Sequence, residues 1–378
     1  MRLWRYCIAG FLFNWLAFVF WTVVPIRAVA FGASSTELAL LQTASTVFYV
    51  INSLFMGRLS DRVSRSLLAR MACVGAVAGC ALIVVAGSLN ALYLVVPLMG
   101  LAGSVYWPSI QGALGAESGP GRVEKTIGWF NVSWSTGKTL GFVIAGWLVQ
   151  TQGHSLAMWI AAAAALPILL LYPGDKVVTW EESHESAAPD RTVFRTMGYV
   201  ANFLAFGVGA VFNTQFFKYI DASGIGSAGD RKAFVGIFMG AIYATQTILF
   251  VVLQRRAAWT YRRSFLYGSQ LICGIGTAGV TLLSGHGPLL AAAALVGVGL
   301  GFANASSIYY SLHGPSDHGK YAGLHEAVLG SGTILVPLAG GMLADHFLDL
   351  RMPYWLAGAA TLVAVAVEET VYRRRSRS

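Results

Sequence analysis

The stretch "GRLSDRVSRSLLAR", residues 57–70, packs four arginines and one aspartate into a chain that is only 11% charged. Before it lies "LALLQTASTVFYVINSLFM" (38–56) and after it "MACVGAVAGCALIVVAG" (71–87), and neither contains a charge. A hydrocarbon core about 30 Å thick is crossed by roughly 20 mainly apolar residues in a helix. Both flanks are of that order. The charged knot therefore reads as a short aqueous loop between two membrane spans.

The rest of the chain repeats this theme. It has 378 residues, 56% of them hydrophobic, and a mean hydropathy of +0.62. Soluble domains average about 45–50% apolar and about 25% charged residues. Apolar runs recur along the whole length and leave no room for a soluble domain. A β-barrel would instead show alternation in strands of about 10 residues, and the continuous Gly- and Ala-rich runs exclude it. The expected fold is an all-α polytopic membrane protein. The start, "MRLWRYCIAGFLFNWLAFVFWTVV", has too long an apolar run for a cleaved leader and reads as the first span. Cys7, Cys73, Cys80 and Cys273 all fall in spans without a C-x-x-C pair, so buried thiols are expected and no metal site.

Twelve spans are expected, near 6–29, 38–56, 67–88, 91–113, 126–149, 155–172, 196–217, 233–253, 264–284, 287–311, 321–343 and 353–371. With both termini cytoplasmic, inside segments hold 20 Lys/Arg and outside segments 5. That bias sets the orientation by the positive-inside rule. The net charge of +9 is thereby topological, and no nucleic-acid partner is expected. The basic tail "RRRSRS" is expected at anionic headgroups. The polar stretch "PGDKVVTWEESHESAAPDRTVFR" (173–195) holds five acids against three Lys/Arg. It divides the chain into a six-helix bundle at 1–173, a cytoplasmic linker at 174–195, and a second bundle at 196–378.

The halves repeat each other. At an offset of 195, Gly128, Gly137 and Gly146 fall on Gly323, Gly332 and Gly341. At an offset of 198, "GSVYWPSIQGALG" (103–115) meets "GFANASSIYYSLH" (301–313), and the opening stretch meets "RRAAWTYRRSFLYG" (255–268). Two pseudo-symmetric bundles are expected, related as parallel repeats.

Two ionisable residues stand inside helices: Lys138 in "STGKTLG" and Glu326 in "GLHEAVLG". A charge at the bilayer centre costs at least about 2.5–3.5 kcal/mol, so neither is expected to face lipid. Asn131 and Trp134 share a helix face with Lys138 at spacings of seven and four. In the repeat, Glu326 overlays Asn131. Lys138 is a candidate cavity cation for an anionic or hydroxyl-rich solute. Glu326, read as the one acid clearly within a span, is a candidate proton carrier with His325 beside it. The alternative role for both is structural hydrogen bonding between helices.

Twelve spans, a central polar linker and G-x-L-x-D-R-x-x-R after the second span resemble the major facilitator superfamily over essentially the entire chain. The motif matches at Gly57, Leu59, Asp61, Arg62 and Arg65. It departs at Ser64, where the family usually has Gly, and at Ser66, where it usually has a basic residue. In the second half Trp259 occupies the position of Asp61. The resemblance implies that Asp61 faces the N-terminus of the eleventh helix, where unpaired N–H groups carry partial positive charge. It implies that Arg65 pairs with an acid at the end of the fourth helix, where Glu117 is available. Gly57, Asp61, Arg62, Arg65 and Glu117 would thus form a cytoplasmic gate.

The resemblance also marks the spans that line a central cavity. Their polar residues give the remaining substrate-site candidates: Asn14, Gln42, Tyr106, Trp107, Asn213, Gln246, Asn304, Tyr309 and Tyr310, with Asn52, Gln111, Gln215 and Tyr243 behind them. Rings plus amides suit a solute with an apolar face and several polar groups. The bland alternatives are interfacial aromatic belts and amide bonds between helices. "GIGSAG" (224–229) and "GIGTAG" (274–279) fit G-x-G-x-x-G but lack a βαβ context, and no Walker lysine loop or G-x-S-x-G turn exists. No cofactor and no enzymatic activity are expected.

The sequence therefore points to a monomeric secondary transporter in a plasma or bacterial inner membrane. It would move a sugar-, nucleoside- or organic-anion-like solute by alternating access, with a proton as the candidate coupling ion and uniport as the simpler case. The rivals are a lipid or lysolipid flippase or drug efflux carrier of the same fold. From another class, a non-transporting sensor or membrane enzyme would need a soluble domain or a converging catalytic group.

Overall fold

The computed structural model describes residues 3–59, 63–118, 123–172, 189–255, 257–312 and 318–375. Among these there are helices and no strand: α1 (Leu3–Ala30), α2 (Ser35–Leu59), α3 (Arg65–Val85), α4 (Leu89–Ser118), α5 (Val123–Thr151), α6 (His154–Ala163), α7 (Ala165–Leu171), α8 (Pro189–Ser223), α9 (Arg231–Arg255), α10 (Arg263–Gly279), α11 (His286–Leu312), α12 (His318–Phe347) and α13 (Met352–Arg375). A 3-10 turn, Ala257–Trp259, precedes α10. α6 and α7 together make the sixth span. They part at Ala164 because Pro167 has no N–H to give and its ring crowds the carbonyl four residues back. α8 begins at Pro189, inside the stretch assigned to the linker. Proline is well suited there, since the first helical N–H has no intrahelical acceptor.

Nine of the described helical segments are long and apolar enough to cross a membrane by length and composition, α6 and α7 counting as one. The remaining three are α2, α5 and α10. α10 has only 17 residues. α2 and α5 are long but carry Gln42, Ser45, Thr46 and Asn52, and Asn131, Ser135 and Lys138. Their packing explains the polarity: α2 lies against α12 and α5 against α9, so both run along the seam between the halves.

The contacts within each half follow one pattern. α1 packs on α5, α2 on α4, α3 on α4 and α6; correspondingly α8 packs on α12, α9 on α11, α10 on α11 and α13. Gly137 shows why the repeat keeps its glycines: a methyl there would collide with the Phe11 carbonyl of α1. Its repeat partner Gly332 meets the Phe203 carbonyl of α8 in the same way. Small residues at helix crossings let backbones approach and gain dispersion contact where lipid offers no hydrophobic drive. α1 is buried nearly all round, with Leu16, Val19, Phe20 and Val23 inaccessible, as befits a helix enclosed by its bundle.

Candidate functional site

The seam between α5 and α9 holds the lysine. Lys138 Nζ lies 4.1 Å from the ring centre of Phe18 on α1 and 3.7 Å from that of Tyr243 on α9. Phe142 completes the group, stacked on Tyr243 at 5.3 Å and packed on Phe18 at 5.1 Å. Lys138 makes no ion pair among the described residues. Ring faces carry negative charge density, so such a cage holds an ammonium without neutralising it. One turn toward the chain termini, Trp134 packs edge-on against Phe250 of α9 at 5.7 Å and donates from Nε1 to Asn131 Oδ1 at 2.9 Å. Trp107 reaches Trp134 from α4 at 6.4 Å. Ser135 Oγ accepts from Thr247 Oγ1 across the same seam at 2.7 Å.

The other seam, α2 against α12, holds the carboxylate. Tyr49 Oη donates to Glu326 Oε2 at 2.8 Å, first half to second. By the repeat, Glu326 is level with Asn131 and two turns nearer the chain termini than Lys138. His325 turns the other way: its Nδ1 is 2.8 Å from Ser307 Oγ of α11, inside the second half. Neighbours on a helix point about 100° apart, so His325 and Glu326 serve different surroundings. Closer to the remote end, Asn213 Nδ2 donates to Gln42 Oε1 at 3.1 Å. Trp21, Pro25, Gln42 and Asn213 border a small void there.

Other sequence candidates lie away from the seams. Asn14 donates back to the Gly10 carbonyl of its own helix at 3.5 Å. Tyr106 is fully buried and stacks on Phe13 at 3.7 Å, inside the first bundle. Tyr310 accepts the Tyr261 N–H at 3.2 Å and packs with Phe194 inside the second bundle, with Tyr309 beside it. The resemblance implies that these rings line a cavity; packing within each bundle instead uses them as core. Gln246 and Asn304 are buried in the second half, each with an amide oxygen that lacks a partner among the described residues.

Asp61, Arg62 and the side chain of Glu117 lie outside the described residues, and Gly57 is described only as part of the α2 backbone. Arg65 Nη1 donates to the Gly112 carbonyl of α4 at 2.9 Å. Trp259, at the repeat position of Asp61, is buried and donates to the Leu253 carbonyl at 3.2 Å.

Sequence reasoning missed Tyr49 and Phe18, because nothing local marks a ring as facing a charge on a distant helix. It also undercounted the acids. Glu368 in α13 is fully buried and accepts from Gln270 Nε2 at 2.9 Å. Glu368 falls inside the expected span 353–371, but the adjacent Glu369 and the basic tail give its turn an interfacial composition. No group of three or more His, Cys, Asp or Glu suited to a metal occurs among the described residues.

Comparison with known proteins agrees with this architecture. The sequence profile described as Major Facilitator Superfamily matches residues 6–314 and again 232–377. Multidrug resistance protein 1 of Bacillus subtilis (strain 168) is 22% identical over 359 residues, covering 91% of this chain and 90% of that protein. Among solved structures, the nucleoside transporter NupG superposes with a TM-score of 0.74 at 13% identity, over 98% of this chain and 99% of that one. A bacterial homolog of the human lysosomal transporter Spinster, inward-facing and occupied, gives 0.71 at 14% identity, over 99% and 96%.

Proposed function

The chain belongs to the Major Facilitator Superfamily, and from that premise we propose that it is a secondary transporter of a small organic anion with an aromatic or apolar face. The two six-helix halves rock about the seams and expose the site alternately to either side, as expected for folds built from parallel repeats. The observation that carries this reading is Lys138, a cation between Phe18 and Tyr243 with no ion-pair partner among the described residues. A solute carboxylate or phosphate supplies the missing counter-charge, while Trp134 and Phe250 offer ring faces for its apolar part. Glu326, bonded across the seam to Tyr49, carries the coupling proton. Both termini are cytoplasmic, the protein works as a monomer, and no enzymatic step is involved.

The test is a thermal-shift screen of purified protein against organic anions, nucleosides, sugars, lysolipids and cationic drugs. Flux of each hit into proteoliposomes is then measured with and without a pH gradient. Stabilisation and uptake by an anion, both lost in Lys138→Ala, are expected. Transport of a cationic drug alone would overturn the anion reading. It would instead favour drug export, which the name of the Bacillus relative supports.

A further inference from the structure

The end of the molecule remote from the chain termini carries its own contacts between the halves. α2 opens on a reciprocal box: the Ser34 N–H donates to Glu37 Oε2 at 2.7 Å, and the Glu37 N–H to Ser34 Oγ at 3.1 Å. Such a box satisfies two of the donors at a helix start and leaves the N–H groups of Ser35 and Thr36 unmet by α2 itself. Asp345, in the last turn of α12, takes both, at 2.9 and 2.8 Å. α8 grips the same turn by its carbonyls: Gln215 Nε2 donates to Ser35 O at 2.9 Å and Lys218 Nζ to Ala33 O at 2.8 Å.

The other seam shows the same device. Gln150, in the last turn of α5, accepts the N–H of Lys232 at 3.1 Å. Lys232 is the second residue of α9, as Thr36 is of α2. The offset of 195 that carries Gly137 onto Gly332 also carries Gln150 onto Asp345. Beside each acceptor a repeat-related glycine brings backbones together, Gly146 against Lys232 and Gly236, Gly341 against Ser35.

We propose that Asp345 and Gln150 are repeat-related latches that hold the remote end shut, and that the charged latch, Asp345 on the start of α2, controls its opening. This rests on the alternating-access reading but not on any choice of solute. Opening strips each acceptor from its helix start and gives the N–H groups to water. Bonds to a carboxylate are roughly twice as strong as those between neutral groups, and negative charge at a helix N-terminus adds to them. Two such bonds at Asp345 outweigh the single amide bond at Gln150. Sequence reading placed a carboxylate-on-helix gate at the opposite end, with Asp61; here the same physics operates between different partners.

The experiment measures distance distributions between spin labels at Gln152→Cys and Leu348→Cys, in substrate-free protein in nanodiscs. Both sites are exposed, lie at the remote end and belong to different halves. Cys7 is replaced by serine; the other three cysteines are buried. Asp345→Ala is expected to raise the long-distance population relative to the short one by about tenfold or more. Asp345→Asn, which keeps the shape and one acceptor oxygen, and Gln150→Ala should each raise it less. An unchanged distribution in Asp345→Ala overturns the proposal, and so does a larger shift in Gln150→Ala than in Asp345→Ala. If Asp345→Ala does not fold, Asp345→Asn carries the test, and no lengthening there overturns it. Because no solute is present, an error in the anion assignment leaves these outcomes untouched.

Discussion

At the scale of single residues, the two ionisable groups at the seams answer to different measurements. A desolvated ammonium over aromatic faces gains about 2 kcal/mol from them, and a bound anion adds its own attraction. Lys138→Ala should therefore weaken binding of the transported anion by at least about tenfold, equivalent to about 1.4 kcal/mol. Lys138→Arg, which keeps charge but not shape, should lose less. Isothermal titration decides this, and equal losses in the two variants would remove the electrostatic role. Glu326→Gln keeps the size of the side chain and removes the exchangeable proton. Uphill accumulation driven by a pH gradient should vanish while solute exchange at equal pH continues. Unchanged uphill transport in that variant would exclude Glu326 as the proton carrier. Tyr49→Phe deletes the 2.8 Å bond to the carboxylate and should move the midpoint of the pH–uptake profile with little change in solute affinity. Lys138 and Glu326 were legible in the sequence because a charge inside an apolar run has few physical excuses. Phe18 and Tyr49 were not, because a ring in such a run is ordinary until its neighbour across the seam is known.

At the scale of helices, glycine sets how closely elements approach. Gly137→Leu and Gly332→Leu place a side chain against the Phe11 and Phe203 carbonyls. Overpacking of this kind costs typically about 1–3 kcal/mol, so both variants should unfold at lower temperature and should separate α5 from α1 or α12 from α8. Gly268, also helical, has nothing within 4 Å of an added methyl. Gly268→Ala should be neutral or stabilise by up to about 1 kcal/mol, since alanine is the better helix former. Differential scanning fluorimetry in detergent compares the three. If Gly268→Ala proves as harmful as Gly137→Leu, close packing is not what the repeat conserves between its halves. The equal spacing of Gly128, Gly137 and Gly146 with Gly323, Gly332 and Gly341 was visible in the chain. Which partner each glycine touches was not: Gly137 and Gly332 pack within their own halves, whereas Gly146 and Gly341 pack across the seam.

At the scale of the whole molecule, each half has its own packed interior, while the seams are the α5–α9 and α2–α12 contacts. Residues 1–180 and 181–378, expressed together, should therefore copurify and transport, because the cut falls in the polar segment between the last described helix of one half and the first of the other. Copurification without transport would mean that the linker itself takes part in the cycle. The sequence alone determined the number of the spans and the repeat of the two halves, and it supplied the expected direction of the spans. Each of these depends on sums over many residues, hydropathy along a span or basic charge in a loop, and such sums survive without knowledge of neighbours. The tertiary structure decided which polar residues face each other. Asn14, Tyr106 and Tyr310 went to bundle interiors, Lys138 and Glu326 to separate seams, and Asp345, a single acid at the end of a span, to the first turn of a helix more than three hundred positions away in the chain. A hydrogen bond depends on a few tenths of an ångström between atoms that local sequence does not relate, and only the packing of one half against the other supplies that distance.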